Sequence, residues 1–369
     1  MTRLVFVTQV VDPADPVLGF VVPQLRVLAA SVDRLAVVAN EVRDVPADLG
    51  FDLISLGKDK GRGQVGRGLR YVSEVNRLAR RLRPQALVAH MCPIYLSLAA
   101  PVARAHGVRT LLWFVHPANS RTLRTAERLS DSVMTALPGS YPRRSAKVRV
   151  IGHAVDTERF GYERVQRHGG RLRLLTVGRT SPVKGYELLL RAVGIARQRG
   201  ALVELRIVGP STTPAEHAHR KELQALIRDL GLDGLARVEE GRPPWEVPNL
   251  LHEADVVVSA TAAGSADKVV FEAMACGRPV LVTSPAFKEL VAGTGMCLDF
   301  PQEPEALAGR ICAVSAAADE ELSSVGSRLR SRIESGHSLT HWADSVVALS
   351  EELHGRSAQR LPGKGHVAS

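Results

Sequence analysis

At 369 residues, with 45% apolar and 23% charged side chains, the chain can bury two cores and is balanced like a soluble globular protein, not a disordered or fibrous one. Only 4% of residues are aromatic, and the net charge of +10 is spread over many segments without a nucleic-acid-binding module, which argues against a nucleic-acid partner; most of the charge is expected to be solvated surface, with a phosphate-bearing substrate or an anionic membrane surface as the functional alternatives. Cys92, Cys276, Cys297 and Cys312 lack C-x-x-C spacing, the N-terminus shows no signal-peptide pattern, and no apolar run reaches the roughly 18 residues of a membrane span, so a cytoplasmic protein is expected.

Short β-branched runs alternate with longer amphipathic stretches, the pattern of parallel strands joined by crossover helices. The first set of strands is predicted at Leu4–Val10, Leu35–Val38, Phe51–Ser55, Ala86–His90, Thr110–Val115, Ser132–Thr135 and Val148–Ile151. Between them Arg67–Leu82 has helical spacing, with Leu69, Val72, Val75, Leu78 and Leu82 as its apolar stripe. The alternation restarts at Arg173–Val177 and continues through Val203–Val208, Ala236–Glu239, Val256–Ser259 and Pro279–Thr283. The expected fold class is therefore α/β, with two Rossmann-like doubly wound domains facing across a cleft. The boundaries are residues 1–152 for the first domain, 153–170 for a linker region, 171–335 for the second domain and 336–353 for a C-terminal helix packing back on the first. Residues 354–369 lack an apolar face and are expected to be disordered. Ligands of such sheets bind beyond the carboxyl ends of the strands.

Three stretches of the second half could carry chemistry. Val177-Gly178-Arg179-Thr180-Ser181-Pro182-Val183-Lys184-Gly185 brings two cations to the end of one strand and the start of the next helix, where they can converge on a pyrophosphate; a plain basic loop would read the same way. Small residues from Ala262 to Ala266, including Gly264 and Ser265, precede a helix beginning near Lys268, Val269 and Val270, and open backbone amides to an anion at a helix N-terminus. Glu272 lies inside that helix, where ribose hydroxyls are suitable donors to its carboxylate and a solvent-facing glutamate is the alternative. Val208-Gly209-Pro210 ends another strand and, with Gly241-Arg242, offers backbone and loop contacts to a base, although alone it is a turn.

Together these stretches resemble the nucleotide-sugar domain of the retaining glycosyltransferases of glycosyltransferase family 4, which have the GT-B fold. The parts that carry the resemblance are Gly178-Arg179 with Lys184-Gly185, Asp255-Val256-Val257-Val258-Ser259, Phe271-Glu272-Ala273-Met274-Ala275-Cys276-Gly277-Arg278-Pro279-Val280 and Phe287-Lys288-Glu289-Leu290-Val291. The resemblance implies that Arg179 and Lys184 bind the diphosphate, Glu272 holds the ribose, and backbone around Val269 and Val270 meets the α-phosphate. It also makes residues 1–152 the acceptor-side domain and 171–335 the nucleotide-sugar domain. One departure stands out: eight residues before the ribose-binding glutamate the family has another glutamate, which contacts the donor sugar, and here the position is Gly264. Asp267-Lys268 likewise replaces a glycine and an apolar residue, so Asp267 either reads the sugar in place of the missing carboxylate or merely caps the helix.

In the first half His116, after Leu111-Leu112-Trp113-Phe114-Val115, occupies a position where similar transferases place a histidine beside the reacting sugar. Leu18, Gly19 and Phe20 belong to a loop with a reduced glycine content after the first strand, the expected acceptor side, and His90 ends another strand nearby, either at the site or as a satisfied histidine beside it. The resemblance implies retention of configuration, with Arg179, Lys184 and helix amides stabilising charge on the leaving diphosphate. No D-x-D sequence occurs, so neither metal nor other cofactor is expected. The expected partners are a UDP- or GDP-linked sugar and an acceptor that is a small molecule such as a secondary metabolite, with a lipid or glycan less favoured. An epimerase or hydrolase on the same scaffold and a non-catalytic nucleotide-binding protein are the competing functions.

Overall fold

The computed structural model describes residues 2–15, 17–46, 48–167, 170–261, 266–295 and 303–358. In chain order its strands are β1 (Arg3–Val11), β2 (Arg34–Val42), β3 (Asp52–Ser55), β4 (Ala86–His90), β5 (Arg109–Trp113), β6 (Ser132–Thr135), β7 (Val148–Val150), β8 (Leu172–Val177), β9 (Val203–Val208), β10 (Ala236–Glu239), β11 (Val256–Ser259) and β12 (Val280–Val282). The helices are α1 (Val21–Ala30), α2 (Gln64–Arg81), α3 (Pro93–Ala105), α4 (Arg121–Leu129), α5 (Tyr186–Gln198), α6 (Pro214–Asp229), α7 (Val247–His252), α8 (Lys268–Ala275), α9 (Pro304–Ala316), α10 (Asp319–Gly336) and α11 (Leu339–Ala358). Each predicted strand segment is a strand; the inner ones are Val-, Leu-, Ile- and Ala-rich runs that suit parallel strands buried on both faces, whereas the edge strands β3 and β7 are partly exposed. β4, Ala-Leu-Val-Ala-His, is buried at all five positions.

The chain divides into two compact units, each an α/β layer structure around one parallel sheet. The first takes the described parts of residues 1–135, 143–151 and 339–369, and its sheet runs β3-β2-β1-β4-β5-β6-β7 with every pairing parallel. α11 belongs to this unit: Trp342 is fully buried, edge-on to Phe6 at 6.3 Å and to Trp113 at 6.0 Å between ring centroids. The second unit takes residues 136–142 and 152–338 and has the parallel sheet β10-β9-β8-β11-β12.

Four expectations are corrected. The region 153–170 is no free linker, since its described residues belong to the second unit; Arg167 holds Asp319 at 2.5 Å and Arg278 donates to the Glu163 carbonyl. The C-terminal helix expected at 336–353 begins only at Leu339, after a break at His337–Ser338, where the His337 carbonyl accepts the Val155 amide at 2.7 Å and Val155 bridges Ser338. Gly152, with φ +80°, permits that contact, for a Cβ there would sit 2.0 Å from the Gly336 carbonyl oxygen. Residues 354–358 continue α11 as helix, while the rest of the expected disordered tail lies outside the described residues. Leu69 does not join the buried stripe of α2, which is formed by Tyr71, Val75, Leu78 and Ala79. No helix among the described residues is long and apolar enough to cross a membrane.

Candidate functional site

Strand order locates the candidate site in each unit. In the second, β8 and β11 are neighbours from which the chain winds in opposite directions, so their carboxyl ends border the crevice where α/β sheets bind ligands. The segments after these strands are Gly178-Arg179 and Ala260-Thr261. Two glycines let the backbone close around them. A Cβ at Gly209, after β9, would lie 1.8 Å from the Gly178 carbonyl oxygen, and one at Gly185 would lie 2.3 Å from that of Ala260. Gly185 also takes φ +66°, a left-handed conformation that joins the turn Pro182–Lys184 to α5. Tyr186 follows, buried, and its hydroxyl donates to the Gly178 carbonyl at 2.9 Å, fixing the loop that carries Arg179.

Three ion pairs occupy this crevice. Lys184 Nζ meets Asp267 Oδ1 at 2.9 Å, and the other Asp267 oxygen accepts from Ser259 Oγ at 3.1 Å and from the Thr261 hydroxyl. Arg179, about half exposed, pairs with Glu216 at 3.2 Å. Lys268 Nζ bonds Glu272 Oε1 at 2.5 Å across one turn of α8, with its ammonium 5.9 Å from the Phe160 ring centroid. Asp267 stands at the N-cap of α8 without capping it by its side chain, so the capping role open to it in the sequence is not the one its carboxylate takes. The side-chain hydroxyl and the amide of Thr212, and then the nearby Arg179, hold the Glu216 carboxyl below its ordinary value.

Of the residues predicted for the donor, Gly178 and Gly209 form the floor, and Lys184, Asp267, Lys268 and Glu272 are drawn into pairs across the loop and helix. Val208 ends β9, while Val269 and Val270 form the first turn of α8, where the Val270 amide donates to Asp267 O at 3.0 Å. Arg242 lies further along the sheet edge after β10, 3.3 Å from Glu239 and 46% exposed. Gly264 and Ser265 fall outside the described residues. Sequence reading passed over Glu216, Tyr186, Ser259 and Thr261. Glu216 had a signal: Thr213-Pro214-Ala215-Glu216 opens α6 as a Thr-x-x-Glu capping sequence, and Thr213 Oγ1 does accept the Glu216 amide at 3.2 Å. The three other residues become notable only when β8 and β11 are seen side by side.

The corresponding switch in the first unit lies between β1 and β4. After β1, Asp12 and Asp15 accept the amides of Ala14, Val17 and Leu18 and coil the loop into turns. Gly19 is required there, since a Cβ would approach the Asp15 and Pro13 carbonyl oxygens to 2.7 Å. Phe20, which follows, is edge-on to His90 with centroids 6.2 Å apart. His90 is a packing residue and is not presented to a ligand: it is 1% exposed, stacked on Phe6 and bonded through Nδ1 to Thr8 Oγ1 at 3.1 Å, and burial pushes its pKa down to about 4. Polar side chains that the sequence reading missed lie at the ends of the neighbouring strands, where Tyr95 donates to Asn40 at 2.8 Å and Asn40 to Gln9 at 3.1 Å. β5 ends at Trp113, earlier than predicted, and His116 is exposed in the loop beyond it, its Nδ1 accepting the Ala118 amide at 3.0 Å. Among the described residues, the side chains close enough together to hold a metal ion are Glu187, His219 and Glu222, on α5 and α6.

Residues 171–316, within the second unit, match the family model described as glycosyl transferases group 1. The D-inositol 3-phosphate glycosyltransferase of Kribbella flavida is 33% identical over 181 residues, which cover 44% of this chain and 42% of that protein. The colanic acid biosynthesis glycosyltransferase WcaL of Escherichia coli, itself a putative assignment, is 28% identical over 196 residues, covering 51% of this chain and 47% of the relative. The chain thus spans less than half the length of the curated relatives it matches. Among solved structures, Anabaena Alr3699/HepE in complex with UDP and glucose superposes with a TM-score of 0.72 at 18% identity, covering 95% of this chain and all of that one. Sucrose-phosphate synthase from Thermosynechococcus elongatus gives 0.74 at 15% identity, over 96% of this chain and 100% of that one. The chain therefore has the GT-B fold of these glycosyltransferases, and its second unit carries the group 1 glycosyl transferase match.

Proposed function

We propose that this protein is a retaining, metal-independent glycosyltransferase that moves a sugar from UDP or GDP to a small-molecule acceptor in the cytoplasm. The observation that carries the reading is the meeting of Lys184, Asp267 and the start of α8 at the crevice between the ends of β8 and β11, with Arg179 on the adjoining loop. Cations and helix amides gathered at a topological switch suit a diphosphate, and the UDP-bound neighbour of the same fold adds to that.

In this mechanism an acceptor hydroxyl oxygen bonds to the sugar C1 on the face from which the diphosphate departs, its proton passes to a phosphate oxygen of the leaving group, and negative charge grows on the β-phosphate as the sugar C1–O bond breaks. Arg179 and Lys184 turn from Glu216 and Asp267 to the phosphate oxygens, and the first amides of α8 meet the α-phosphate. Glu272 exchanges Lys268 for ribose hydroxyls. Asp267, released by Lys184 yet still held by Ser259 and Thr261, accepts from a donor-sugar hydroxyl in place of the glutamate missing at position 264. His116 hydrogen-bonds the sugar or orients the acceptor.

Thermal-shift titration with UDP and GDP tests the donor class: the midpoint should rise with one of them as its concentration passes Kd, and no rise with either refutes the reading. Turnover should survive EDTA. Loss of activity in EDTA with recovery in Mn²⁺ or Mg²⁺ refutes the metal-independent mechanism, and donor consumption without acceptor points to the hydrolase or epimerase instead.

A further inference from the structure

The solvent face of α2 is unusual. Leu69 is 70% exposed and Val65, one turn before it, 79% exposed. α3 runs beside α2 in parallel register: a Cβ at Gly68 would lie 3.9 Å from Leu98 Cδ1, and His106 Nε2 meets Asn76 Oδ1 at 3.0 Å, both pairs 30 residues apart. That register sets Ile94, 54% exposed, at the height of Val65, and Leu98, 39% exposed, at the height of Leu69. Single exposed apolar side chains are ordinary, but here four large ones adjoin at the N-terminal halves of two neighbouring helices.

The same region is the most basic of the chain. Residues 57–83 carry Lys58, Lys60, Arg62, Arg67, Arg70, Arg77, Arg80, Arg81 and Arg83 against Asp59 and Glu74, a net +7 within a total of +10. Lys58 is held by Glu41, Arg77 by Glu74, and Lys60 interacts electrostatically with the neighbouring Asp59, whereas Arg62, Arg70, Arg80 and Arg81 have no carboxylate partner among the described residues. At about 100° per residue, Val65 and Leu69 lie on the flank of α2 next to α3, and Arg70 and Arg77 on the other flank. There Lys60, Arg62, Arg70 and Arg77 line an open pocket of about 370 Å³ against Leu53 and Ile54 of the edge strand β3, together with Glu74, whose carboxylate is paired with Arg77.

We propose that this face of the first unit docks on an anionic lipid bilayer. Val65, Leu69, Ile94 and Leu98 enter the interfacial region, and the adjoining cations meet lipid phosphates, with one headgroup phosphate in the pocket beside β3. Charge complementarity and aliphatic character together select this partner. A nucleic acid would use the cations but leave the aliphatic strip in water, and an apolar protein patch would leave the cations unmatched. The inference does not depend on the sugar-transfer reading, because the docking residues lie outside the donor crevice and no nucleotide is involved.

The test is co-sedimentation of the full chain with vesicles of phosphatidylcholine and with vesicles of phosphatidylcholine mixed with phosphatidylglycerol, at roughly 0.05 M and 0.5 M salt. The protein should bind the anionic vesicles at least about tenfold more strongly than the neutral ones, and less at the higher salt. Lys60→Gln/Arg62→Gln should weaken binding by about 25-fold, taking roughly fivefold per cation, and Leu69→Ser/Leu98→Ser by about tenfold. All four side chains are exposed, so both variants should keep the parent melting temperature, and their response to nucleoside diphosphate should match the parent's. No binding to anionic vesicles at low salt overturns the proposal. So does undiminished binding of either folded variant; if Leu69→Ser/Leu98→Ser binds as the parent does and heparin displaces it, the surface is one for polyanions and not for a bilayer.

Discussion

Replacing Asp267 with asparagine separates the two roles that its carboxylate has in the proposed mechanism. In the free protein Asp267 holds Lys184 at 2.9 Å, and the two side chains are only 11% and 20% exposed, so water screens the pair weakly. A charge-assisted hydrogen bond in such a setting contributes about 1 to 2 kcal/mol, somewhat below the full range for charged groups because neither partner is fully buried. A nucleoside diphosphate must break that bond to recruit Lys184 and must also approach a like charge. Removing the charge while keeping the side-chain shape should therefore lower the Kd of the bound nucleoside diphosphate about five- to thirtyfold, at about 1.4 kcal/mol per tenfold. Turnover should move the other way, with kcat/KM for the complete donor falling as the sugar hydroxyl exchanges a charged hydrogen-bond acceptor for a neutral amide. Calorimetric titration with UDP and GDP, alongside kinetics of the intact nucleotide sugar, reads both effects. An Asp267→Asn protein with unchanged melting temperature and unchanged or weaker diphosphate affinity would refute the idea that Lys184 exchanges Asp267 for phosphate.

Arg179→Ala should weaken diphosphate binding by about 2 kcal/mol, roughly thirtyfold, in the same titration, with little change in melting temperature because this arginine is half exposed. Gly209→Ala should lower the midpoint of denaturant unfolding by an amount equivalent to about 3 kcal/mol, since the new methyl would lie 1.8 Å from the Gly178 carbonyl oxygen and backbone must move. His90 gives a pH dependence of defined sign. Burial lowers its pKa from 6.5 to about 4, so between these values the unfolded chain binds more protons; stability should be level above pH 6.5 and decline as pH falls, by about 3 kcal/mol at full effect. Unfolding curves of His90→Gln should lack this component between those pH values, and an unaltered slope would refute the assignment.

The strands were legible because parallel strands buried on both faces are written as unbroken apolar runs; β4 and β11 read directly from Ala86–His90 and Val256–Ser259. Helical faces were less legible. Periodicity placed Leu69 on the same stripe as Val75 and Leu78, but Tyr71 and Ala79 pull the buried face around the helix and leave Leu69 in solvent. The break between α10 and α11 gave little signal, since it depends on a backbone contact from Val155, 182 positions before His337 in the sequence numbering. For the candidate site, loop and helix starts were visible in Gly178-Arg179 and in the run from Lys268 to Ala275. The pairing was not: Lys184 finds Asp267 83 residues away and Arg179 finds Glu216 37 residues away, through strand order that no local spacing encodes.

Those pairings bear on what glycine at position 264 means in the proposed mechanism. A site that kept its cations unpaired would hold a diphosphate by direct attraction and discriminate little among polyanions. Here Arg179, Lys184 and Glu272 each have a partner within the protein, Glu216, Asp267 and Lys268 respectively, so in the proposed mechanism ligand binding is an exchange of partners. Its free energy is a difference between two sets of charge-assisted bonds, and only a ligand that satisfies the released groups as well gains from the exchange. Inorganic pyrophosphate can take Arg179 and Lys184 but offers nothing to Asp267 or Glu272. In the proposed mechanism a nucleotide sugar would supply ribose hydroxyls to Glu272 and sugar hydroxyls to Asp267. In the proposed mechanism Asp267-Lys268 would thus place recognition of the sugar on the same ion-pair network as recognition of the diphosphate, and couple the two. On this argument the donor's sugar and diphosphate should contribute to affinity more than additively, and a double-mutant cycle of Asp267→Asn and Glu272→Gln, measured with nucleotide sugar and with pyrophosphate, should show coupling with the first ligand alone. Equal coupling with both ligands would place the discrimination elsewhere in the site.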